Sequence, residues 1–422
     1  MKFLHFPIAC IGLLASHAAV SQNVEYVKTI IDSLCAPAYH GRGYVDQGDV
    51  KAAKFIERQL DEIGTEQPVE MLGFTLGVNT FPGKMDVNVN GKALIPGADY
   101  IIDPKSSGCN GTYDVVNFKP KWAGDQKKMF DLTSTAAFKG QFVVFKENVD
   151  NADYQTLLSN IDKNPFKAAG YIIITDKKLT WSVSRSMIDC VILRVDANKV
   201  PKKIKSITAQ VDQHFESKYQ ATNVMATLSG TSDSSMKSLV FTAHLDHLGH
   251  MGAATYIPGA NDNASGSAML LDLYQYYYTN RPERDVVFIW FGAEEAGLVG
   301  SRHFVENSPL PLSEIQFLIN LDLMGDAKTG ITVVNGKVYD DHFGKLSSIN
   351  IEQGLLETVK ARGPAANSDH HPFYEKGVPC FFIYTTGDYT HYHDIDDKPE
   401  NLPMTNYGKV FKLIVEFAQF GI

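Results

Sequence analysis

The sequence predicts an α/β fold: a mostly parallel central sheet flanked by helices, carrying a smaller β-rich inserted domain. Two patterns predict the layers. From about Thr222 onward, apolar runs ("SLVFTA", "DVVFIWFG", "IQFLINL", "VPCFFIYTT") alternate with helical stretches, as expected for parallel strands covered on both faces. From about Met85 to Gln213 the pattern changes to short runs such as "MDVNVNG", "QFVVFKE" and "GYIIIT", separated by turn residues. A third observation concerns chemistry. Ligands in open α/β sheets bind beyond the carboxyl ends of the strands, and here those positions carry histidine, aspartate and glutamate.

The elements follow in order. Residues 1–21 read as a secretory signal, with one lysine in "MKFLHF", a short apolar core in "PIACIGLLA" and small residues in "SHAAVSQ". Cleavage fits after Ser21, with Ala19 at the −3 position, so the chain is expected to be exported, periplasmic or extracellular. The apolar core falls well short of the ~20 residues that span a bilayer. Cys10 does not make a lipoprotein signal, because Pro7 is a poor start and the apolar run continues past the cysteine. Residues 22–84 open the main domain: "VEYVKTIIDSL" and "DVKAAKFIERQLDEIG" have helical apolar spacing, and the Gly-rich loop "HGRGYVDQGD" separates them. Residues 85–213 form the insert, with one helix in "DYQTLLSNIDKNPFKAAG". Residues 214–422 carry the alternating half, with helices in "ASGSAMLLDLYQYYYTN", "LVGSRHFVEN" and the terminal "NYGKVFKLIVEFAQF".

Composition excludes some function classes. The 422 residues are 44% hydrophobic and 21% charged, ordinary for a soluble globular chain. A net charge of −9 leaves no basic footprint for nucleic acid. No other stretch is long and apolar enough for a transmembrane segment. Of five cysteines, Cys35, Cys109, Cys190 and Cys380 remain once Cys10 is removed. An even number permits disulfides in an exported protein, but the pairing is not legible and no CxxC metal motif is present.

The residues after the strands are His244 and Asp246, Asp262 in "PGANDNASG", the adjacent Glu294 and Glu295, Asp322, and His393 in "GDYTHYHDIDD". One acidic residue after a strand is usually a helix cap or a solvated loop residue. The combination carries the signal, because "AEEAG" and "NLDLMG" set carboxylates directly on buried strands. Imidazole nitrogen and carboxylate oxygen are zinc's preferred donors. Two histidines and three carboxylates exceed the needs of one catalytic zinc and suit two ions about 3.5–4 Å apart, sharing a carboxylate and a water. Either Glu294 or Glu295 is then left over as a base.

These segments resemble the co-catalytic zinc aminopeptidases typified by bacterial leucyl aminopeptidase (peptidase clan MH), whose relatives include glutamate carboxypeptidase and glutaminyl cyclase. The matching segments "AHLDHLG", "GANDNASG", "AEEAGLVGS", "NLDLMG", "SDHHPF" and "HYHDIDD" occur in the family's order across residues 222–400. "HGRGYVDQGD" resembles an N-terminal segment of exported members, and "FKGQFVVFKE" with "FKAAGYIIIT" resembles a protease-associated domain. The resemblance implies the zinc exopeptidase fold and two zinc ions per chain. One would be bound by His244 and Asp322, the other by Glu295 and His393, with Asp262 bridging. It makes Glu294 the general base and Asp246 an outer carboxylate orienting the His244 ring. His247 is then structural or pocket-lining, His250 a loop residue, His391 not a ligand, and Asp397 an outer-shell group. The peptide bond after Asp262 is expected to be strained.

The chain departs from the pattern where some members carry an oxyanion-stabilising tyrosine before "SDH": here stand Ala365, Ala366 and Asn367. His370 or the zinc alone is left for that role. The resemblance implies an aminopeptidase that removes N-terminal residues from peptides with a free N-terminus, through a metal-bridging hydroxide. The alternatives are a carboxypeptidase or dipeptidase with the same metals, a one-zinc glutaminyl cyclase-like enzyme, and a non-catalytic binding module. Arg302 and Arg362 would matter to the first of these. The aromatic residues Tyr256, Tyr339, Phe343, Tyr389 and Tyr392 make an apolar specificity pocket plausible.

Overall fold

The structure is a computed structural model describing residues 23–232 and 236–422. The secretory signal and its cleavage position lie outside the described residues. The main sheet has eight strands, in the order Glu70–Thr80, His214–Leu228, Val286–Phe291, Ser238–His244, Ile315–Leu321, Cys380–Thr386, Gly330–Val334, Val359–Ala361. The four from Val286–Phe291 to Cys380–Thr386 run parallel, and antiparallel neighbours flank them. The expected mostly parallel centre is therefore present.

These runs are strands because both faces are covered. Successive side chains point to opposite faces. Phe241, Ala243, Phe288 and Trp290 pack among helices Val24–Leu34, Gly48–Ile63, Gly266–Thr279 and Tyr407–Phe420. Val240, Val287, Ile289 and Phe291 pack on the other side against Phe304 and Phe373, from helices Val299–Asn307 and His370–Glu375. Each such aromatic or branched side chain contributes about 1.5–3 kcal/mol on burial. Register aligns the strand exits: His244 lies opposite Phe291, and Leu321 opposite Ile383. The chain thus leaves several strands at one edge.

A second eight-stranded sheet is built from residues 85–211, in the order Lys92–Leu94, Met85–Val89, Ser206–Val211, Cys109–Asn117, Phe142–Lys146, Gly170–Thr175, Val191–Asp196, Tyr100–Ile102. Strands Glu70–Thr80 and His214–Leu228 pair antiparallel from Glu70↔Met225 to Thr80↔His214, so the chain departs and returns along one ribbon. This layer is less purely β than expected. The predicted helix is shorter, Ala152–Ser159: the chain leaves helical geometry at Asn160 (φ −112°, ψ 17°), and a short turn, Ile161–Lys163, follows. A further helix, Gln126–Ser134, is capped by Asp125 and buries only Leu132, too little apolar period to read from sequence. The disulfides that an even number of cysteines permits are not formed among the described residues: Cys35, Cys109, Cys190 and Cys380 are all free. No helix among the described residues is long and apolar enough to cross a membrane.

Candidate metal centre

The strand exits bring the candidate ligands together. His244 is the last residue of its strand, Asp262 lies in the irregular turn Ala260–Ser265 that leads into helix Gly266–Thr279, and Asp322 follows Ile315–Leu321. His244 Nε2 lies 3.3 Å from Asp262 Oδ1 and 3.4 Å from Asp322 Oδ1. His393 Nε2 lies 3.1 Å from Asp262 Oδ2 and 3.4 Å from Glu295 Oε2. Asp262 thus turns one oxygen toward each histidine. The donors of His244, Asp262 and Asp322 lie within 4.8 Å of one another, and Asp322 Oδ1 is buried without a hydrogen-bond donor. Imidazoles and carboxylates converging in this way fit zinc.

The other histidines sort by position. His247 is fully buried, and its Nδ1 lies 2.8 Å from Glu295 Oε1 and 3.9 Å from Asp262 Oδ1, within a second donor group of His247, Asp262 and Glu295. A carboxylate only accepts, so Nδ1 carries the proton and holds Oε1, leaving Oε2 toward His393. His250 sits on the short ribbon Gly249–His250, beside His40 at 3.2 Å. His391 lies apart, 3.5 Å from Asp394.

The groups behind the ligands are partly those expected. Asp246 differs in its task. His244 Nδ1 meets the main-chain oxygen of Asp246 at 3.1 Å, while the Asp246 carboxylate stands off at 3.9 Å. That carboxylate instead accepts the N–H groups of Glu294 (3.0 Å) and Glu295 (3.3 Å) and the Tyr44 hydroxyl (3.3 Å). It fixes the turn that aims both glutamates. Asp246→Asn keeps the volume but sets an NH2 against these donors. Zinc affinity is expected to fall roughly 10–100-fold, as for other outer-shell partners, read by chelator competition; unchanged affinity would mean the turn holds itself.

Asp397 performs a similar task for the Asp262 turn, accepting the N–H groups of Asn261 at 2.8 Å and Asp262 at 3.0 Å. The Asp262–Asn263 peptide is cis. A chain of hydrogen bonds runs from Thr242 through Asn320 and Ser368 to Asp322 Oδ2, with steps of 2.7, 2.8 and 3.0 Å. Arg42, fully buried, donates to the carbonyls of Leu245, Pro258, Gly259 and Asp262. It thereby ties the exit after His244 to the Asp262 turn. Gly43 lets that loop approach: a Cβ there would lie 2.4 Å from Gly249 Cα.

Electrostatics divides the adjacent glutamates. Burial first, then the charges of Glu295, Asp369 and Asp322, push Glu294 well above the usual carboxylate range, against the pull of His244. Burial acts on Glu295 too, but the His393 charge and hydrogen bonds from His247 and His393 hold it at about 2.

The site opens into a cavity of about 250 Å³, lined by His244, Asp262, Glu294, Glu295, Asp322 and His393 and walled by Leu323, Asn367, Phe382, Tyr384 and Tyr392. Tyr392 stacks on His393 with ring centroids 3.8 Å apart. Of the aromatic residues expected here, only Tyr392 lines the cavity. Tyr339 and Phe343 pack against the main core, and Tyr256 lines a separate cleft. His370 is buried against Phe382 and does not line the cavity, so Asn367 and the two tyrosines are the polar groups at its wall. No lysine or arginine among the described residues lines it. Arg302 pairs with Glu375 at the surface, and Arg362 is exposed, reaching only the Tyr384 hydroxyl at 3.5 Å.

The family model described as peptidase family M28 matches residues 223–418, the segment that supplies every candidate ligand above. This segment is a peptidase family M28 domain. Among curated relatives, the chain is similar to a probable leucine aminopeptidase of Trichophyton verrucosum (26% identical over 236 residues, 52% of this chain and 62% of the relative). It is also similar to Aminopeptidase YwaD of Bacillus subtilis (32% over 134 residues, 31% of this chain and 29% of the relative). The chain therefore spans at most about three-fifths of these relatives' lengths. Among solved structures, BSAP, a zinc aminopeptidase from Bacillus subtilis, shares the fold at a TM-score of 0.70 and 18% identity, with 94% of this chain and 95% of that one covered.

Sequence reasoning misses several groups that build the M28 site: Arg42, Asn320, Ser368, Phe382 and Tyr384. Asn320 has a readable signal, a polar residue inside the apolar run "IQFLINL". The serine of "SDH" belongs to a recognisable motif, but its bond to Asp322 follows only from the fold. Phe382 and Tyr384 lie within an apolar strand, and nothing local marks them as cavity walls.

Proposed function

We propose that this chain is an exported aminopeptidase of family M28 that holds two zinc ions and removes N-terminal residues from peptides. The observation that carries the reading is the cavity wall: carboxylates and aromatic rings, with no lysine or arginine among the described residues. A substrate's free ammonium finds acceptors there, whereas a C-terminal carboxylate finds no cation, which disfavours the carboxypeptidase alternative. Asp262, with one oxygen toward each histidine, favours two metals over the single metal of a cyclase-like enzyme. Leu323, Phe382 and the Tyr392 ring form an apolar wall suited to an apolar first side chain. Export rests on the segment at residues 1–21.

His244, Asp322 and Asp262 would hold one ion, and His393, Glu295 and Asp262 the other. When bound, the ions supply Lewis-acid polarisation of the carbonyl and acidify water. The protein's own residues do the rest. Glu294, not tied to a histidine, accepts the proton of the attacking water and returns it to the leaving amine nitrogen. Asp246 and Asp397 keep the turns that carry Glu294 and Asp262 in place.

The test is mass spectrometry of one peptide, free and N-acetylated, after incubation with zinc-loaded protein. Stepwise loss of residues from the free form alone is expected. C-terminal loss from both forms would overturn the reading in favour of a carboxypeptidase. No cleavage of either would direct attention to N-terminal glutamine substrates, and then to a binding module.

A further inference from the structure

His393 is held from outside the M28 domain. It lies in the irregular segment between strand Cys380–Thr386 and the turn Pro399–Asn401. The two ends of that segment are tied to neighbouring parts of the M28 domain. The Tyr389 N–H donates to Asp326 Oδ2 at 3.0 Å, and Asp397 accepts from the Asp262 turn. Its middle is tied to the second sheet, through the connection between strands Gly170–Thr175 and Val191–Asp196. The Trp181 N–H donates to the His393 carbonyl at 2.9 Å, and the Trp181 carbonyl lies 2.9 Å from His393 Nδ1. Lys178 Nζ donates to the carbonyls of Thr390 (2.5 Å) and Tyr392 (3.2 Å) and pairs with Asp394 at 2.6 Å.

These contacts matter chemically. A carbonyl only accepts, so the Trp181 oxygen keeps a proton on His393 Nδ1 and reserves Nε2, which faces Asp262 and Glu295, for a metal that displaces its proton. His393 also sits at φ 56°, a conformation that residues other than glycine hold only where their surroundings enforce it. The connection is itself anchored. Trp181 is buried, and its indole N–H donates to the Ile102 carbonyl at 2.8 Å. Nearby, the Asn79 N–H donates to Ser184, and the Ile188 N–H to Lys105.

We propose that Lys178 and Trp181 are positioning residues through which the second sheet sets the affinity of the His393–Glu295 metal position, while the His244–Asp322 position is set by the main-sheet exits and the Arg42 loop. The proposal rests on the two-metal reading above. It predicts an asymmetry: weakening the clamp loosens one of two metals.

Lys178→Ala is the primary test, because the side chain is half-exposed and its removal leaves the core intact. Trp181→Phe is the second, keeping a ring in the core while losing the bond to Ile102. Zinc is titrated into chelator-stripped protein in competition with a chromophoric chelator, and the melting temperature of each stripped protein is recorded as a control. Both variants are expected to raise one of the two zinc dissociation constants roughly 10–100-fold and leave the other unchanged, and Lys178→Ala to melt with the wild type when metal-free. Lys178→Arg is expected to restore much of the affinity. Equal loss at both sites, or two unchanged constants in both variants, would overturn the clamp. A wild type that takes up only one zinc would instead overturn the two-metal reading, so the two failures are distinguishable.

Discussion

Glu294→Gln is expected to fold, to hold zinc at wild-type stoichiometry, and to lose peptidase turnover by about a thousandfold or more. The substitution changes one oxygen to NH2. It leaves the main-chain N–H donated to Asp246 and every donor atom of His244, Asp262, Glu295, Asp322 and His393 in place. What it removes is the ability to accept a proton in the cavity. Positioned general bases contribute about 10²–10⁴-fold, and a thousandfold corresponds to about 4 kcal/mol of barrier. The loss should appear in kcat, with KM little changed, because the substrate's ammonium is met by the rest of the acidic wall. Steady-state kinetics beside elemental analysis of zinc reads both quantities. Near-normal turnover would remove Glu294 from the role. Glu295→Gln should behave oppositely, losing metal first, because its carboxylate is engaged by both His247 and His393.

Chelation is expected to lower the melting temperature by on the order of 10 °C or more, and zinc to restore it. Asp262, Glu294, Glu295 and Asp322 share one interior site with Asp246 and Asp369 close behind them. Asp369 is pushed to about 7, burial being the largest cause. Burying carboxylates this closely is costly, whether they stay charged or are forced to hold protons, and a bound cation relieves that cost. An ion that binds only the folded chain, present at about a thousandfold its dissociation constant, stabilises it by about 4 kcal/mol per site. Scanning calorimetry with and without chelator reads the shift. Identical melting curves would mean that the acidic cluster is stable without metal.

The centre of the fold is legible in the sequence because the parallel strands are buried on both faces. Runs such as "DVVFIWFG" have no solvated side and announce themselves, and a carboxylate at the end of such a run stands out against its apolar neighbours. What is not legible depends on register between distant strands. Asn320 serves Asp322 only because it lies beside Thr242 in the neighbouring strand. Sequence proximity assigns Asp246 to the His244 ring. The fold instead presents its carboxylate to the turn after Val286–Phe291, and His244 takes the Asp246 main-chain oxygen. The cavity walls escape for a related reason. Loop aromatics are the expected wall, but Phe382 and Tyr384 come from inside a strand, and Tyr339 turns into the core.

The paired strands that lead out to the second sheet and back have an evolutionary consequence. Because Thr80 and His214 are partners in one ladder, residues 81–213 leave and rejoin the main sheet at a single doorway. A cassette mounted there adds little to the loop-closure entropy of its host, since the ladder already holds the doorway together. The main sheet feels this segment chiefly where it leans on His393. A newcomer at this doorway would inherit one structural obligation: to offer an acceptor where the Trp181 carbonyl now meets His393.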